Sequence, residues 1–189
     1  MIERMDPDQV AWFAAWVTAI SKAPEGPELP MSYARTVRVQ HAGDDEGHPS
    51  DIQKAALDRI LLAASGQDAP ACLASYDPVP GEGDTSEIPF ATRVVGHIEY
   101  LLVAGPLRDL VYLPWESRWD YEQPVTMLWP ADRSWCLASD PDVTHTVVGG
   151  PAPLIKAILA DPRLYAEEYR AGDEDCRQKR RRSGRGRRR

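Results

Sequence analysis

Apolar residues near the start of the chain recur at the spacing of one helix face. Asp6 and Pro7 form a typical helix start, and Gln9 stands three residues after the cap, where a capping box is completed. The apolar pattern continues to Lys22. We therefore predict a first helix whose buried face carries Val10, Phe13, Val17 and Ile20.

Two further helices are predicted from the same spacing. Ser50 and Gln53 form a second capping box, and the apolar positions that follow extend to about Ala64. The last helix covers 151–160, and Pro162 ends its apolar pattern.

Strands are predicted where β-branched and aromatic residues follow one another between turn signals. From Thr126 onwards, short strands separated by proline and aspartate turns indicate a β-meander. A meander with helices at both ends favours an α+β protein, an antiparallel sheet packed with about three helices, over a parallel βαβ arrangement. The predicted strands cover 33–39, 71–76, 93–103, 126–129, 135–139 and 144–148, and a short helix covers 107–113.

The two parts of the chain carry opposite charge. The protein has 189 residues and a net charge of -7, but 177–189 contain nine basic residues and no acidic one. Residues 1–176 hold 13 basic and 29 acidic side chains, a net charge of -16. Arginine-rich sequence cannot bury enough apolar surface to fold. We predict a single acidic α+β domain over 1–170 and a disordered arginine-rich tail over 171–189.

Neither secretion nor membrane insertion is expected. The N-terminus lacks the layout of a signal peptide, and no apolar run approaches the roughly 18 residues that a membrane span needs. We therefore expect a cytoplasmic protein. Cys72, Cys136 and Cys176 are odd in number and lie outside metal-binding and redox spacings. We interpret them as reduced thiols and expect no disulfide, metal or cofactor.

A resemblance to uncharacterised actinobacterial proteins lies in the second half of the chain. Its residues are Leu128-Trp-Pro-Ala-Asp-Arg-Ser-Trp-Cys-Leu-Ala-Ser-Asp-Pro-Asp, followed by Thr144, Gly149-Gly150 and the last predicted helix. Those proteins have no established activity. The resemblance therefore implies a shared α+β core and assigns no catalytic residue.

Histidine and aspartate residues form two candidate metal sites. Asp140, Asp142 and His145 lie within six residues and could offer two carboxylates and an imidazole to a divalent cation. His41 and His48, with the acidic residues between them, offer a similar set. However, Asp-Pro-Asp is ordinary turn chemistry, and metal ligands usually come from separate parts of a chain. We favour a turn for the first group and a loop of solvated charges for the second.

Gly149 and Gly150 precede the last predicted helix and could place backbone N–H groups around a phosphate. The complete glycine-rich phosphate motifs are missing, and Pro151 and Pro153 remove two N–H donors. We favour a turn that leads into the helix. Motifs for nucleophilic catalysis are also missing, and Cys136 is interpreted as a buried strand residue.

A tryptophan-rich stretch is the best candidate for a binding surface in the acidic domain. It alternates aromatic and charged residues and lacks a strong periodicity. Most tryptophans in proteins belong to the core, but tryptophan and tyrosine also supply large contact areas at low entropic cost. The predicted partner-binding residues are Trp115, Glu116, Trp119, Asp120 and Tyr121.

Three function classes remain open. The first, which we favour, is a non-catalytic interaction protein whose acidic domain binds a basic protein partner, as small inhibitors and immunity-type proteins do. The second is a nucleic-acid-associated accessory protein that binds phosphates through its tail. The third is an enzyme with an unrecognised site among His97, Asp140, Asp142 and His145.

The tail generates a first prediction. If about six of its nine cations engage phosphates, the logarithm of the affinity for DNA or RNA should fall against the logarithm of the salt concentration with a slope of about -5. The slope should depend little on base sequence. The candidate nucleic-acid-binding residues are Arg177, Lys179, Arg180, Arg181, Arg182, Arg185, Arg187, Arg188 and Arg189.

Titration of labelled DNA and RNA at two salt concentrations measures this slope. The full-length protein should bind more weakly than the isolated tail peptide, because the acidic domain repels the same phosphates. If neither shows salt-sensitive binding, the nucleic-acid hypothesis fails.

Overall fold

A computed structural model describes residues 2–22, 29–42, 49–77, 92–95, 98–111, 125–139 and 144–169 of the chain. These residues form nine strands and four helices, which confirms the predicted α+β class. The predicted tail lies outside the described residues. In chain order the elements are β1 (Glu3–Arg4), α1 (Pro7–Lys22), β2 (Arg35–Gln40), α2 (Asp51–Ser65), β3 (Pro70–Asp77), β4 (Thr92–Val95), β5 (Ile98–Pro106), α3 (Leu107–Leu110), β6 (Val125–Pro130), β7 (Cys136–Ser139), β8 (His145–Gly150), α4 (Ala152–Ala160) and β9 (Tyr165–Tyr169).

The nine strands form one antiparallel sheet. Its order is β1-β5-β3-β6-β7-β8-β2-β9, and β4 pairs with β5 on the side that β1 also occupies. Strands β6, β7 and β8 are neighbours in the sheet and follow one another along the chain. The predicted β-meander is therefore confirmed as the centre of the sheet.

Helices cover both faces of the sheet. Helix α1 packs on one face, and α2, α3 and α4 pack on the other. Strand β3 shows the alternation: Cys72 and Ala74 belong to the core under α1, whereas Ala71 and Leu73 belong to the core under the other helices. Because both faces are buried, the central strands are apolar at consecutive positions.

The side chain of Gln9 fixes α1 to the sheet. Its Oε1 accepts hydrogen bonds from Trp129 Nε1 at 2.9 Å and Arg133 Nε at 3.1 Å. Its Nε2 donates to the carbonyl oxygen of Ala131 at 2.9 Å. The assignment of Gln9 to a capping box was therefore wrong, because its polar atoms bond to Trp129 of β6 and to the turn between β6 and β7.

The predicted capping box of α2 is confirmed and also ties the helix to the sheet. Ser50 Oγ accepts from the backbone N–H of Gln53 at 3.4 Å, and Gln53 Oε1 accepts from the backbone N–H of Ser50 at 3.2 Å. Gln53 also accepts from Ala42 N at 2.8 Å and donates to the carbonyl oxygen of Gln40 at 2.7 Å. The start of α2 thus lies at the end of β2.

The strand predicted over 93–103 is two strands. β4 and β5 are antiparallel, with Val95 opposite Ile98, so the chain reverses direction between them. Gly96 is the residue type that short hairpin connections favour, and this signal was overlooked.

Strand β9 was not predicted, because its Tyr-Ala-Glu-Glu-Tyr sequence shows little apolar alternation. Tertiary contacts hold it at the edge of the sheet beside β2. Arg35 donates to both carboxylate oxygens of Glu168, at 2.8 and 2.9 Å. The buried carboxylate of Asp161 accepts from Arg59 of α2 at 2.8 Å and from Arg163 at 2.6 Å, which joins the turn before β9 to α2.

Gly149 and Gly150 lie inside β8, so their assignment to a turn before the last helix was wrong. Their missing side chains make room on both faces of the sheet. A Cβ atom at Gly149 would lie 2.5 Å from the ring of Tyr33, and one at Gly150 would lie 2.9 Å from Cβ of Trp135. Backbone N–H groups in this strand serve the sheet, and the phosphate alternative loses its structural basis.

Replacing Gly149 by Ala should lower the free energy of unfolding by about 1–3 kcal/mol, because the added methyl group overpacks the Tyr33 contact. Urea unfolding measures this change. The added Cβ would also lie 2.6 Å from Cδ1 of Leu29, so in a Tyr33→Ala background the same substitution should be less destabilising but not neutral. An equal penalty in both backgrounds would contradict the assigned contact.

Candidate functional site

The two ends of the sheet differ in their connections. At one end, β2, β3 and β7 finish and β6 and β8 begin, as the pairs Gln40–His145, Ser139–Thr146 and Ser75–Val125 show. Four connecting segments join the described residues, which we call the framework, at this end of the sheet through at least one of their own ends. They are 43–48, 78–91, 112–124 and 140–143. Together these four segments contain eleven acidic residues and one basic residue. We call this end of the sheet the acidic end.

The described framework carries little net charge. Its residues include 13 acidic and 11 basic side chains, whereas the other residues up to 176 include 16 acidic and two basic ones. The acidity of the domain therefore belongs mainly to its connecting segments. A buried framework holds few unpaired charges because their desolvation is unfavourable.

A buried row of polar side chains beside the acidic end is formed by one residue each of β7 and β8 and by the residue that follows β2. Thr146 Oγ1 donates to Ser139 Oγ at 3.3 Å and lies 2.9 Å from His41 Nε2. The three residues are 8% exposed or less. The contact with Thr146 occupies Nε2 of His41.

The remaining members of the candidate metal sites are only partly described. His145 is half-buried at the first position of β8, as expected for a strand residue after the turn. His48, His97, Asp140 and Asp142 lie outside the described residues. Within the described ranges, no group of three or more histidine, cysteine, aspartate or glutamate residues could hold a metal ion.

A groove of about 610 Å³ runs along α2 and contains a buried carboxylate. Asp58 is 8% exposed, and its Oδ2 lies 4.0 Å from Nζ of Lys54 one turn earlier. Burial raises the pKa of Asp58 to about 7, although the Lys54 ammonium opposes this shift. The groove is also lined by Asp51, Ala55, Arg59, Leu62, Ala63 and Gln67.

Both described cysteines are buried, free thiols. Burial raises the pKa of Cys72 to about 12 and the pKa of Cys136 well above its ordinary value. Each thiol therefore stays protonated at neutral pH and is a poor nucleophile. Cys136 lies in β7, as predicted, and Cys176 lies outside the described residues.

Two sets of predicted binding residues lie outside the described residues. The first is the partner-binding set Trp115, Glu116, Trp119, Asp120 and Tyr121, and the second is the tail from Arg177 to Arg189. The described neighbours of the tryptophan-rich segment are Val111, directly after α3, and Val125, at the acidic end.

Sequence reasoning missed Asp58 as a site residue. Its signal is a Lys54–Asp58 pair, one turn apart, in a helix whose sheet-facing positions are otherwise mostly apolar.

Comparisons with known protein families, with curated proteins and with solved structures find no match to this chain. None of the helices in the described part of the chain combines the length and apolar character that crossing a membrane requires.

The pKa of Asp58 generates a prediction about stability. A carboxyl whose pKa rises from 3.8 to about 7 on folding binds its proton more tightly in the folded state, so stability falls as pH rises through this range. Between pH 6 and 8 the wild-type free energy of unfolding should decrease by about 1 kcal/mol more than that of Asp58→Asn. Urea unfolding at the two pH values measures the difference.

Asp51→Asn is the matched control, because Asp51 is an exposed carboxylate on the same helix. This variant should keep the wild-type decrease. If Asp58→Asn shows the same decrease as wild type, Asp58 is ionised in the folded protein throughout this range.

Proposed function

We propose that this protein is a non-catalytic interaction protein that binds a basic protein partner through the acidic end, as small inhibitors and immunity-type proteins do. The observation that carries the proposal is the position of the charge. Four segments with eleven acidic residues join a nearly neutral framework at the same end of the sheet. A surface rich in one sign of charge attracts a surface of the opposite sign and speeds its association.

The framework suits this role because packing and hydrogen bonds fix the strand and helix ends to which the acidic segments are joined. Helices cover both faces of the sheet, and hydrogen bonds from Gln53 fix the start of α2 beside the end of β2. Binding residues commonly lie on connections that a packed scaffold positions. The buried thiols and the hydrogen-bonded His41 support a non-catalytic role, since neither offers a nucleophile or an accessible base.

The tryptophan-rich segment, residues 112–124, supplies the aromatic contact residues in this proposal. Residue 124 directly precedes Val125 at the acidic end. Aromatic residues contribute most of the binding energy in many interfaces, while surrounding charges act on association and specificity. Trp115, Trp119 and Tyr121 would thus be the anchors, and Glu116 and Asp120 would pair with partner cations.

A second candidate function uses the tail. Nine basic residues in the last 13 positions can neutralise nucleic-acid phosphates without reading bases. In this alternative the acidic domain docks on a protein while the tail binds nucleic acid, and the salt titration described above tests it.

The proposed partner surface predicts a selective effect of charge removal. Changing Asp44, Asp45 and Glu46 to Asn, Asn and Gln should weaken binding of the captured basic partner at least tenfold, about 1.4 kcal/mol. Immobilised full-length protein is first used to capture the partner from nuclease-treated native lysate. The affinity of the captured partner for the wild type and for each variant is then measured.

The control removes three exposed acidic residues of the framework away from the acidic end, by changing Glu3, Asp8 and Asp68 to Gln, Asn and Asn. This control should bind like wild type. Equal weakening by the two triple variants would show that only total charge matters. Capture of no basic protein would contradict the proposed function itself.

A further inference from the structure

The carboxylate of Asp58 has an unusual environment in the α2 groove. The residue is 8% exposed and lines the groove, yet the described residues give its oxygens no hydrogen bond. Its one ion pair is with Lys54 Nζ at 4.0 Å, which is longer than a hydrogen bond. A buried carboxylate without donors is unfavourable in its ionised form. A ligand that brings donors would therefore gain more here than at an exposed aspartate.

The surroundings of Asp58 define which donor fits. Leu62 and Ala63 line the same groove and offer an apolar surface, while Gln67 offers a polar group just after the helix. Arg59 also lines the groove, but its guanidinium donates to Asp161 at 2.8 Å and not to Asp58. An arginine side chain combines an aliphatic stem with a planar, charged group that donates two parallel hydrogen bonds to one carboxylate. A lysine side chain would duplicate Lys54 and would supply only a single point of charge.

We propose that the α2 groove binds an arginine side chain of the basic protein partner, with the guanidinium on the carboxylate of Asp58 and the stem on Leu62 and Ala63. The inference rests on the proposed function and names the residue that the partner inserts. The groove is continuous with the acidic end, because Asp51 lines it at the first residue of α2 and Gln53 bonds to the end of β2.

Binding requires the ionised form of Asp58, which gives the proposal a pH signature. Because the carboxyl titrates at about 7 in the free protein, its ionised fraction increases about tenfold between pH 6 and pH 8. The affinity for an arginine side chain should increase by about the same factor. An arginine guanidinium stays charged over this range, so Asp58 is the group that changes.

The test uses N-acetyl-arginine methylamide as the probe and the full-length protein. NMR titration at pH 6 and pH 8 should give about tenfold tighter binding at pH 8. Asp58→Asn keeps the shape of the side chain and should weaken binding at pH 8 at least tenfold and abolish its pH dependence. Asp8→Asn removes an exposed helix carboxylate on the other face of the sheet and should change neither.

Lys54→Gln provides a gain-of-binding test. It removes the ammonium that competes for Asp58, but it also removes the charge that lowers the pKa of Asp58. Probe binding should therefore strengthen by about two- to fivefold, the range of a partly exposed ion pair, at a pH high enough to keep Asp58 ionised in the variant. N-acetyl-lysine methylamide should bind more weakly than the arginine probe to the wild-type protein.

Two outcomes would overturn the proposal. Equal binding to the wild type and Asp58→Asn would show that the groove does not use this carboxylate. Probe binding that appears only after Arg180, Arg181 and Arg182 are changed to Gln would show that the tail of this chain occupies the groove. Neither outcome affects the proposed function, which fails only if the acidic-end variants and their control bind the partner equally or if no basic partner is captured.

Discussion

The sheet has apolar side chains on both faces, and the rest of the fold follows from the need to cover them. Helix α1 covers one face and α2, α3 and α4 cover the other. Close cover requires that the sheet leave room for the side chains that pack on it. Gly149 admits the ring of Tyr33 on one face, and Gly150 admits Trp135 on the other. The polar atoms of the covering elements find partners in the sheet, as Gln9 does at Trp129 and Gln53 does at Gln40.

Coverage of the central strands on both faces also determines where charge can lie. Most buried strand positions are apolar, and several buried polar side chains contact one another, as in the row formed by His41, Thr146 and Ser139. The acidic excess of residues 1–176 lies mainly in the segments outside the framework, and four of these segments join the framework at the same end of the sheet. A nearly neutral framework whose acidic connections join it at one end can separate stability from recognition, because connections change without disturbing the core.

Asp58 departs from this arrangement. It is a buried carboxylate with one distant cation, whereas the equally buried Asp161 accepts hydrogen bonds from Arg59 and Arg163. The two environments have opposite effects on pKa: hydrogen bonds from Arg163 hold the pKa of Asp161 well below its ordinary value, and burial raises that of Asp58. Asp161 stabilises the junction of α2 with the turn before β9. Burial disfavours the ionised form of Asp58, and ionisable groups perturbed in this way are common at functional sites.

The sequence by itself determined the helices, the meander and the division of charge, because apolar spacing, capping at Ser50 and composition are local properties. It also identified Cys136 as a buried strand residue. Only the tertiary structure decided that Gln9 bonds to a distant turn, that Gly149 and Gly150 lie inside a strand, and that β9 pairs with β2. The environment of Asp58 was likewise decided by packing. Each of these features depends on residues far apart in the chain, which no local pattern records.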